Sequence, residues 1–580
     1  MDIYNEIREL IFDALGVLSG EGIISPNLEY ENIVVEPPRD KSHGDMATNA
    51  AMVLSKAVGK PPREIAQHLS DVLILNKQIR DVQVAGPGFI NIMLENEILT
   101  EVVRSILVLG KTYGSQKLTI TKSINIEYIS ANPTGPLHVG HTRGAVFGDS
   151  LSRLLKYVGY NVTREYYIND GGAQVDVLAR SVYLRYLESF GKEISFEEGT
   201  YPGDYLIEVG KALKSEVGDR YLDKEENIWI DYIRGFSVDR MMRLIKADLV
   251  GLGIKIDHFF NEKSLYKENK IDQTLKLLSN KGLIYDGVLN APKGKKLEEW
   301  EPREQTLFKS TAHGDDTDRP IKKSDGSWTY FAPDIAYHHN KILRGYDHLI
   351  DVLGADHGGY VKRMKAAVSA LSDDKVDLEI KLVQLVKLYK DGKPYKMSKR
   401  SGTFVTLSDL VKEVGSDVVR FVMLTRKNDA PLDFDFTQVL EQSKDNPVFY
   451  VQYAHARICS VLRKAKSSGF DVSDKNLALS DLSLNTHKAE LRLARKIGEW
   501  PRIIDVAARN TEPHRIAFFL YELAGEFHYL WNKGNDIKSL RFIQDDEKAC
   551  LSKLALVRSV AIIISSGLYI LGVEPAKEMR

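Results

Sequence analysis

Two histidines three residues apart, His138 and His141, stand where a predicted strand gives way to a predicted helix. Residues 124–129 (INIEYI) alternate apolar and polar side chains as a strand does, and a helical apolar pattern begins near His138. The unpaired N–H groups and positive dipole end of such a helix attract anions, and imidazole N–H groups can donate to phosphate oxygens. The pair therefore predicts a phosphate site. For an isolated H-x-x-H, however, two solvated histidines at a helix start are the simpler interpretation, and a metal-binding pair is another.

A second stretch able to contact phosphate comprises residues 387–402 (KLYKDGKPYKMSKRSG). Its Asp-Gly dipeptide predicts the turn of a hairpin, and Lys396, Lys399 and Arg400 follow in a loop that ends in glycine. Lysines in such a loop can neutralise a leaving pyrophosphate. Taken alone, the run is more often a solvated basic loop.

The two stretches together form a known pattern. An H-x-G-H after a strand, followed by K-M-S-K after a hairpin, is the two-part signature of class I aminoacyl-tRNA synthetases, and the chain resembles that class. The block around the histidines, residues 450–458 (YVQYAHARI) and residues 554–579 resemble the arginyl-tRNA synthetase family, so the matches cover nearly the whole chain. The signature block consists of Ala131, Asn132, Pro133, Thr134, Gly135, Pro136, Leu137, His138, Val139, Gly140 and His141.

The resemblance implies ATP-dependent attachment of L-arginine to tRNA(Arg) through arginyl-adenylate, with AMP and pyrophosphate as products. Catalytic roles are implied for His138, His141, Lys396 and Lys399. Arg400 stands where the commonest signature has serine. ATP is expected to enter with Mg²⁺, and no structural metal is expected. The implied ATP-binding residues are His138, Gly140, His141, Gly354, Asp356, Lys396, Met397, Ser398 and Lys399.

The resemblance also implies a binding site for the substrate arginine. A guanidinium is planar, permanently charged and carries five donors, so it requires carboxylates and an aromatic or hydroxyl neighbour. In the family these groups come from a strand glutamate, the asparagine of SANP, the first signature histidine and a Tyr-x-x-x-Asp pair. The matching residues here are Glu127, Asn132, His138, Tyr330 and Asp334. The alternative is that Glu127 is a surface carboxylate and Asp334 a helix N-cap.

The fold predicted from these patterns is multidomain α/β. A strand, a crossover helix and a second strand at 161–168 imply a parallel sheet of the doubly wound, Rossmann type, with ligands at the carboxyl ends of its strands. An N-terminal α+β domain and a C-terminal all-α helical bundle are expected on either side. The predicted boundaries are 1–110, 116–380 with an insertion at about 176–260, 381–440 for the K-M-S-K loop and connecting helices, and 441–580.

Several local predictions accompany that division. Residues 46–58 predict a helix, residues 82–94 a strand, and residues 307–310 a strand that helps to complete the parallel sheet. The apolar stretch 554–573 is interrupted by arginine, serine and glycine and therefore predicts a buried helix rather than a membrane span.

Contacts with tRNA are expected at both ends of the chain. The resemblance implies that the N-terminal domain binds the tRNA elbow through Phe89 and Asn91, since an unstacked base favours an aromatic face and an amide edge. It likewise implies that Tyr453 and Met579 face the anticodon loop. All four fit core, strand or tail positions equally well without the resemblance. A basic helix face within the insertion could approach the acceptor arm, but a solvated face explains it as well: Arg234, Arg240, Arg243 and Lys246.

The composition is that of an ordinary globular protein. The 580 residues carry a net charge of −1, so no overall basic field indicates DNA or RNA binding. Only two cysteines are present, which predicts a reducing, cytoplasmic compartment and excludes a cysteine-rich zinc site. The charged N-terminus does not resemble a signal peptide, and no membrane association is expected. The sequence contains no heptad repeat that would predict a dimer, so a monomer is expected.

Three other functions share part of this pattern. A small-molecule adenylyltransferase can carry the H-x-G-H helix, but it does not need an insertion or a helical C-terminal domain. A synthetase for glutamate or glutamine would need a cationic pocket instead of Glu127 and Asp334. A non-catalytic RNA-binding protein would not need His138, His141 and the two signature lysines. Pyrophosphate exchange with each amino acid distinguishes these possibilities.

Overall fold

The computed structural model describes residues 1–26, 28–38, 40, 43–115, 122–289, 304–323, 325–395 and 405–579. They form two compact units. Unit 1 contains Met1–Gln116, Gln442–Ile570 and Glu574–Arg580, and unit 2 contains Lys117–Glu441 and Leu571–Val573.

The amino-terminal part of unit 1 is an antiparallel sheet of order β1-β2-β4-β3 with four helices. Two local predictions are only partly correct here. Residues 46–58 begin as a strand before the helix, and residues 82–94 lie in two strands of a hairpin because Gly86 and Gly88 turn the chain with positive φ. The elements are α1 Ile3–Gly20, β1 Val35–Glu36, β2 Met46–Thr48, α2 Ala50–Val58, α3 Pro62–Leu73, β3 Ile79–Ala85, β4 Phe89–Leu94 and α4 Asn96–Leu109.

Unit 2 is built on a five-stranded parallel sheet of order β12-β11-β5-β6-β7, so the predicted fold class is confirmed. Its elements are β5 Ser123–Glu127, α5 Val139–Tyr157, β6 Asn161–Ile168, α6 Gln174–Glu188, α7 Tyr205–Val217, α8 Glu226–Gly251, β7 His258–Asn261, α9 Lys263–Lys267, α10 Lys270–Asn280, β8 Ile284–Val288, β9 Glu304–Phe308, β10 Arg319–Pro320, α11 Phe331–Leu343, β11 His348–Gly354, α12 Val361–Ser372, β12 Asp377–Val383, β13 Val386–Lys390, β14 Lys393–Pro394, α13 Leu407–Val414, α14 Ser416–Met423, β15 Leu432–Asp435 and α15 Phe436–Leu440.

The order of the parallel strands reverses between β5 and β11, where a doubly wound sheet opens a crevice at the carboxyl ends of its strands. Glu127, the last residue of β5, pairs with Asp351 on β11 at this point. The prediction for residues 307–310 is wrong, because β9 pairs antiparallel with β8 and β10 in a separate sheet. A short apolar run predicts a strand but does not reveal its partner.

Helices α6, α7 and α8 form the insertion and pack around a core of their own. The parallel sheet resumes at His258, where β7 pairs with β6. Arginines on the predicted basic face form ion pairs, among them Arg240 with Glu216 and Arg243 with Asp239. These pairs favour the interpretation of a solvated helix face.

The carboxyl-terminal part of unit 1 is helical and packs with α4 of the same unit. Helix α21 is long and apolar enough to cross a membrane, yet 83% of its most apolar window is buried inside the protein, which confirms the prediction of a buried helix. The helices are α16 Pro447–Ser467, α17 Asp474–Leu479, α18 Lys488–Gly498, α19 Trp500–Arg509, α20 His514–Asp536 and α21 Glu547–Leu571.

Candidate active site

The chain leaves β5 through a strained turn. Ile129 and Ser130 have φ values of 74° and 38°, a conformation that is rare for a β-branched residue and that concentrates at functional sites. The turn brings the Ser130 hydroxyl back to donate to Glu127 Oε1 at 2.8 Å, while its oxygen accepts from the Tyr167 N–H at 3.0 Å. Glu127 is therefore held at the carboxyl end of the central strand.

Both signature histidines cap helix α5. His138 is the N-cap, and its Nδ1 accepts from the Gly140 N–H at 3.1 Å, while the His138 N–H donates to His141 Nδ1 at 3.3 Å. The two rings stack with centroids 3.9 Å apart. A Cβ on Gly140 would lie 2.9 Å from the His138 ring, which explains the glycine. Capping thus places two imidazoles together at the positive end of the helix.

The two halves of the signature meet in the structure. The Val139 N–H donates to the Val405 carbonyl at 3.3 Å, and the Leu407 N–H donates to the Leu137 carbonyl at 2.8 Å. His138 and Thr406 form an isolated antiparallel bridge between these bonds. Lys396, Met397, Ser398, Lys399 and Arg400 lie outside the described residues, but the chain that follows them pairs directly with the histidine turn.

The insertion supports the signature turn from the side. Asp248 Oδ2 on α8 accepts from the Leu137 N–H at 3.0 Å, and the Tyr205 hydroxyl on α7 donates to the Thr134 carbonyl at 2.7 Å. Burial raises the pKa of Asp248, an effect that the bond from Leu137 opposes. Sequence reasoning missed both residues, because nothing in their local pattern indicates a partner that lies 111 residues away for Asp248 and 71 residues away for Tyr205.

A buried charge network lies beneath Glu127. Lys341 Nζ on α11 contacts Glu127 Oε2 at 2.6 Å and Asp351 Oδ1 at 2.9 Å. His338 Nε2 lies 2.8 Å from the other Asp351 oxygen. Burial raises the pKa of a carboxyl group, but Lys341 and His338 bring the pKa of Asp351 below its usual value. Glu127 is therefore a buried, cation-bound carboxylate rather than a surface residue.

Asp334 is the second carboxylate of the predicted arginine site. It lies inside the first turn of α11, whose N-cap is Tyr330, so Asp334 is not a helix cap. The Tyr360 hydroxyl donates to its Oδ2. Burial raises the pKa of Asp334 to about 6; Tyr360 opposes this rise, and the negative charges of Glu262 and Glu127 add to it.

Glu262, which directly follows β7, is a third carboxylate that sequence reasoning missed. It is buried, and the Tyr266 hydroxyl donates to its Oε1 at 3.2 Å. Burial raises its pKa, and bonds from Tyr266 and Tyr167 oppose that shift. The site thus collects more negative charge than an apolar surrounding tolerates, which is the electrostatic condition for binding a cation.

The other predicted site residues in unit 2 lie along the same edge of the sheet. Tyr330 is 82% exposed beside the half-buried Asp334, and Asn132 is exposed with its amide donating to Gln174 Oε1 at 2.6 Å. Gly354 ends β11, and a Cβ there would lie 2.5 Å from Asp356 Oδ1. Among the described residues, no group of three or more histidine, cysteine or acidic side chains could hold a metal ion.

The residues predicted to contact tRNA lie in unit 1. Phe89 is 40% exposed at the start of β4, whereas Asn91, two residues along the strand, is 6% exposed. The ring of Tyr453, on α16, stacks on that of Phe449 with centroids 5.4 Å apart. The Arg457 guanidinium carbon lies 4.1 Å from the centre of the Tyr453 ring. An aromatic ring beside a guanidinium can stack with a base.

The C-terminal tail that carries Met579 is fastened to the same helix. Gln452 accepts from the Ala576 N–H at 2.8 Å and donates to the Glu574 carbonyl at 2.8 Å. His455 Nδ1 lies 2.7 Å from the Ala576 carbonyl oxygen. Sequence reasoning did not identify Gln452 or His455 as anchors, although both lie in the stretch that carries the family resemblance.

Known proteins match this chain along its whole length. Family models match residues 5–94 (arginyl tRNA synthetase N terminal domain), 102–201 (class I (R) tRNA synthetase catalytic domain) and 451–579 (DALR anticodon binding domain). The arginine–tRNA ligases of Ruegeria pomeroyi and Roseobacter denitrificans are 63% and 61% identical to it, over 100% of each chain. The chain belongs to the arginyl-tRNA synthetase family. The solved arginyl-tRNA synthetase of Thermus thermophilus, which is 21% identical, shares the fold with a TM-score of 0.75 over 99% of this chain and 100% of that one.

As a member of the arginyl-tRNA synthetase family, the chain is a class I aminoacyl-tRNA ligase that uses ATP and attaches arginine to tRNA. In this synthetase, unit 2 brings the histidine turn, the buried carboxylates and the flank of the lysine segment to one edge of the parallel sheet. Unit 1 carries the surfaces matched by the N-terminal and anticodon-binding models.

Proposed function

We propose that this protein attaches L-arginine to tRNA(Arg) in two steps. In the first, the carboxylate of arginine attacks the α-phosphate of ATP, forming arginyl-adenylate and releasing pyrophosphate. In the second, the 2′-hydroxyl of the terminal adenosine attacks the carbonyl carbon of the adenylate, forming arginyl-tRNA and releasing AMP. Both steps move charge between oxygens, so catalysis consists mainly of positioning and charge stabilisation.

One observation carries the choice of arginine over other amino acids. Desolvation raises the pKa of Asp334 to about 6, and the charges of Glu262 and Glu127 add to this rise, whereas the hydrogen bond from the neutral Tyr360 and the charge of His338 oppose it. A buried carboxylate of this kind is stabilised when a cation replaces the missing solvent. A guanidinium fits because it is permanently charged and can donate to two carboxylates at once.

The signature residues have separate roles in the first step. His138 and His141 bind phosphate oxygens at the end of α5, where their capping bonds fix the two rings. Lys396 and Lys399, in the segment between Pro394 and Val405, neutralise the charge that develops on pyrophosphate. ATP enters as its Mg²⁺ complex, with Gly354 and Asp356 contributing to the nucleotide site.

Contacts with tRNA complete the proposal. Phe89 and Asn91 bind a base of the tRNA elbow, and Tyr453 and Met579 contact the anticodon loop. The exposed ring of Phe89 and the guanidinium-backed ring of Tyr453 support these roles. We place the enzyme in the cytoplasm as a monomer that does not use DNA or a membrane; both of its cysteines are free, as a reducing compartment favours.

Pyrophosphate exchange into ATP tests the proposal directly. The assay uses each of the amino acids in turn, with and without tRNA(Arg). Exchange is expected with arginine and with no other amino acid, and it is expected to need tRNA, as is typical of the family. Exchange with another amino acid in the absence of tRNA would identify a different adenylate-forming enzyme.

The apparent KM for arginine is expected to depend on pH. Because the pKa of Asp334 is about 6, its carboxylate is protonated below that pH and cannot pair with a guanidinium. We expect the KM to rise by nearly tenfold for each unit of pH lost below about 6, and to level off above about 7. Steady-state exchange at saturating ATP measures this dependence. Asp334→Asn serves as the control, since its KM should be flat over the same range.

Replacement of Phe89 with alanine is expected to weaken tRNA binding selectively. Loss of one base–aromatic stack costs about 1–3 kcal/mol, so the KM for tRNA should rise on the order of tenfold while the KM for arginine stays unchanged. Phe518, also exposed but on α20, provides a matched control. An equal effect of Phe518→Ala, or no effect of Phe89→Ala, would contradict the role assigned to Phe89.

A further inference from the structure

Arg143 is a buried arginine that the mechanism above does not use. It lies on α5, two residues after His141, and is 1% exposed. Its guanidinium donates to backbone carbonyls of two other segments: Nη1 to Ala430 at 2.6 Å and Gln384 at 3.1 Å, and Nη2 to Lys427 at 2.8 Å and Arg426 at 3.5 Å.

These bonds are an unusual use of a charge. Burial lowers the pKa of Arg143 to about 10, an effect that nearby Asp429 opposes, so the group remains charged at neutral pH. A buried charge is costly unless hydrogen bonds compensate for the lost solvent. Four carbonyls accept from the two terminal nitrogens of Arg143, while its Nε has no hydrogen-bond partner among the described residues. A lysine ammonium has three donors on a flexible stem and cannot span both segments in the same way.

The two segments lead into neighbouring strands of one small sheet. Gln384 lies two residues before the start of β13, and the other three carbonyls lie in the loop between α14 and β15. Strand β15 pairs in parallel with β13, which pairs antiparallel with β14. The chain continues from β14 into the K-M-S-K segment. Arg143 therefore connects helix α5, which carries His138 and His141, to the segments that precede β13 and β15. Strand β13 belongs to the hairpin that leads to the signature lysines.

The same two segments also form hydrogen bonds with each other that do not involve α5. The buried Asn428 amide donates to the Leu382 carbonyl at 2.8 Å, and the Asn428 carbonyl accepts from the Gln384 N–H at 2.8 Å. The loop before β15 and the segment before β13 are thus held to each other as well as to Arg143.

We propose that Arg143 is a positioning residue for adenylate formation, one that fixes the hairpin β13–β14 relative to His138 and His141. This inference rests on the proposed function. It predicts a defect in the chemical step rather than in the binding of arginine, because Arg143 is buried and, among the described residues, its hydrogen bonds go to backbone carbonyls and not to the carboxylates of the proposed arginine site.

The test compares Arg143→Lys with the wild type in tRNA-dependent pyrophosphate exchange, after titration of active sites by the burst of adenylate formed in one turnover. Displacement of reacting groups by about 1 Å can cost about a hundredfold, so we expect kcat per active site to fall on the order of ten- to a hundredfold. The KM for arginine should stay within about twofold. Wild-type exchange with arginine tests the proposed function separately, so a failure there is distinguishable from a failure in the variant.

Arg420→Lys is the matched control. Arg420 is also a buried arginine, and it donates to the Leu571 carbonyl at 2.8 Å, to the Leu252 carbonyl at 3.0 Å and to Asp149 at 2.6 Å. A merely structural role lowers the unfolding temperature and the fraction of active sites but leaves kcat per site unchanged, which is the result expected for Arg420→Lys. The same result for Arg143→Lys would overturn the proposal.

A second variant keeps the proposal testable if Arg143→Lys does not fold. Asn428→Ala removes the hydrogen bond from the Asn428 amide to the Leu382 carbonyl and leaves the residues of α5 unchanged. We expect it to lower kcat per active site severalfold, again without raising the KM for arginine. An Asn428→Ala enzyme with wild-type kcat per site, beside an unfolded Arg143→Lys, would assign Arg143 to stability alone and overturn its positioning role.

Discussion

Replacing Asp334 with asparagine is expected to lower kcat/KM for arginine by about a thousandfold. Removal of one partner of a buried, hydrogen-bonded charge pair costs about 2–5 kcal/mol, and in the proposed site the partner left behind would be the guanidinium of the substrate. The variant keeps the shape of the side chain, and the Tyr360 hydroxyl can still donate to its amide oxygen. Pyrophosphate exchange over a range of arginine concentrations measures the loss.

Stability provides a second readout for Asp334→Asn. With a pKa of about 6, Asp334 binds its proton more tightly in the folded state than an ordinary aspartate does, so ionising it opposes folding as the pH rises from about 4 to about 6. The asparagine variant without ligand should therefore be at least as stable as the wild type at pH 7. In contrast, the rise in unfolding temperature on adding arginine should disappear.

The control for this experiment is Asp239→Asn on α8, which removes an exposed carboxylate paired with Arg243 at 2.7 Å. Exposed ion pairs contribute little, so its kinetics and its arginine-dependent stabilisation should match those of the wild type. If Asp334→Asn retained wild-type kcat/KM for arginine, the cation site would have to lie elsewhere in the protein.

Local sequence pattern was sufficient for the elements that position the signature. Residues 161–168, predicted as a strand, form β6 with the same bounds, and the helix predicted from His138 begins with that residue as its N-cap. These features depend on neighbours within a few residues, which periodicity and turn chemistry report directly. The family resemblance added the prediction that Glu127 and Asp334 bind the same substrate, which no local pattern could indicate.

The residues that sequence reasoning missed act over long separations. Glu262, directly after β7, is the third acidic residue near Asp334 and Glu127. Asp248, in the insertion, accepts a hydrogen bond from the Leu137 N–H. Arg143 donates to backbone carbonyls of residues more than two hundred positions along the chain. Each has an ordinary helical or loop context, so its type alone favours a solvated charge. Only the fold brings each to its partner. The strand at β9 illustrates the same limit, since its apolar residues fit either sheet.

Replacing Lys341 with methionine is expected to cost about 3–5 kcal/mol of unfolding free energy, the largest loss of stability among these variants. Lys341 is fully buried between Glu127 and Asp351, at 2.6 Å and 2.9 Å. Burial by itself would lower the pKa of Lys341, yet these two carboxylates raise it, so the ammonium is charged throughout the working range. Methionine fills the volume but removes the ammonium that bridges Glu127 and Asp351, and Asp351 then keeps His338 as its cationic partner.

Equilibrium unfolding in urea measures the loss, and a double replacement identifies its cause. If the cost arises from unpaired charge, Lys341→Met combined with Glu127→Gln should recover part of the stability lost by Lys341→Met alone. Arginine activation should remain impaired, because Glu127 is part of the proposed arginine site. Lys496→Met is the matched control in unit 1. Lys496 also contacts two carboxylates, Glu499 at 2.9 Å and Glu522 at 2.6 Å, but the Glu522 side chain is 64% exposed and water can solvate it after the change. A loss for Lys341→Met no greater than that for Lys496→Met would show that the Lys341 ammonium does not stabilise the buried side chains of Glu127 and Asp351.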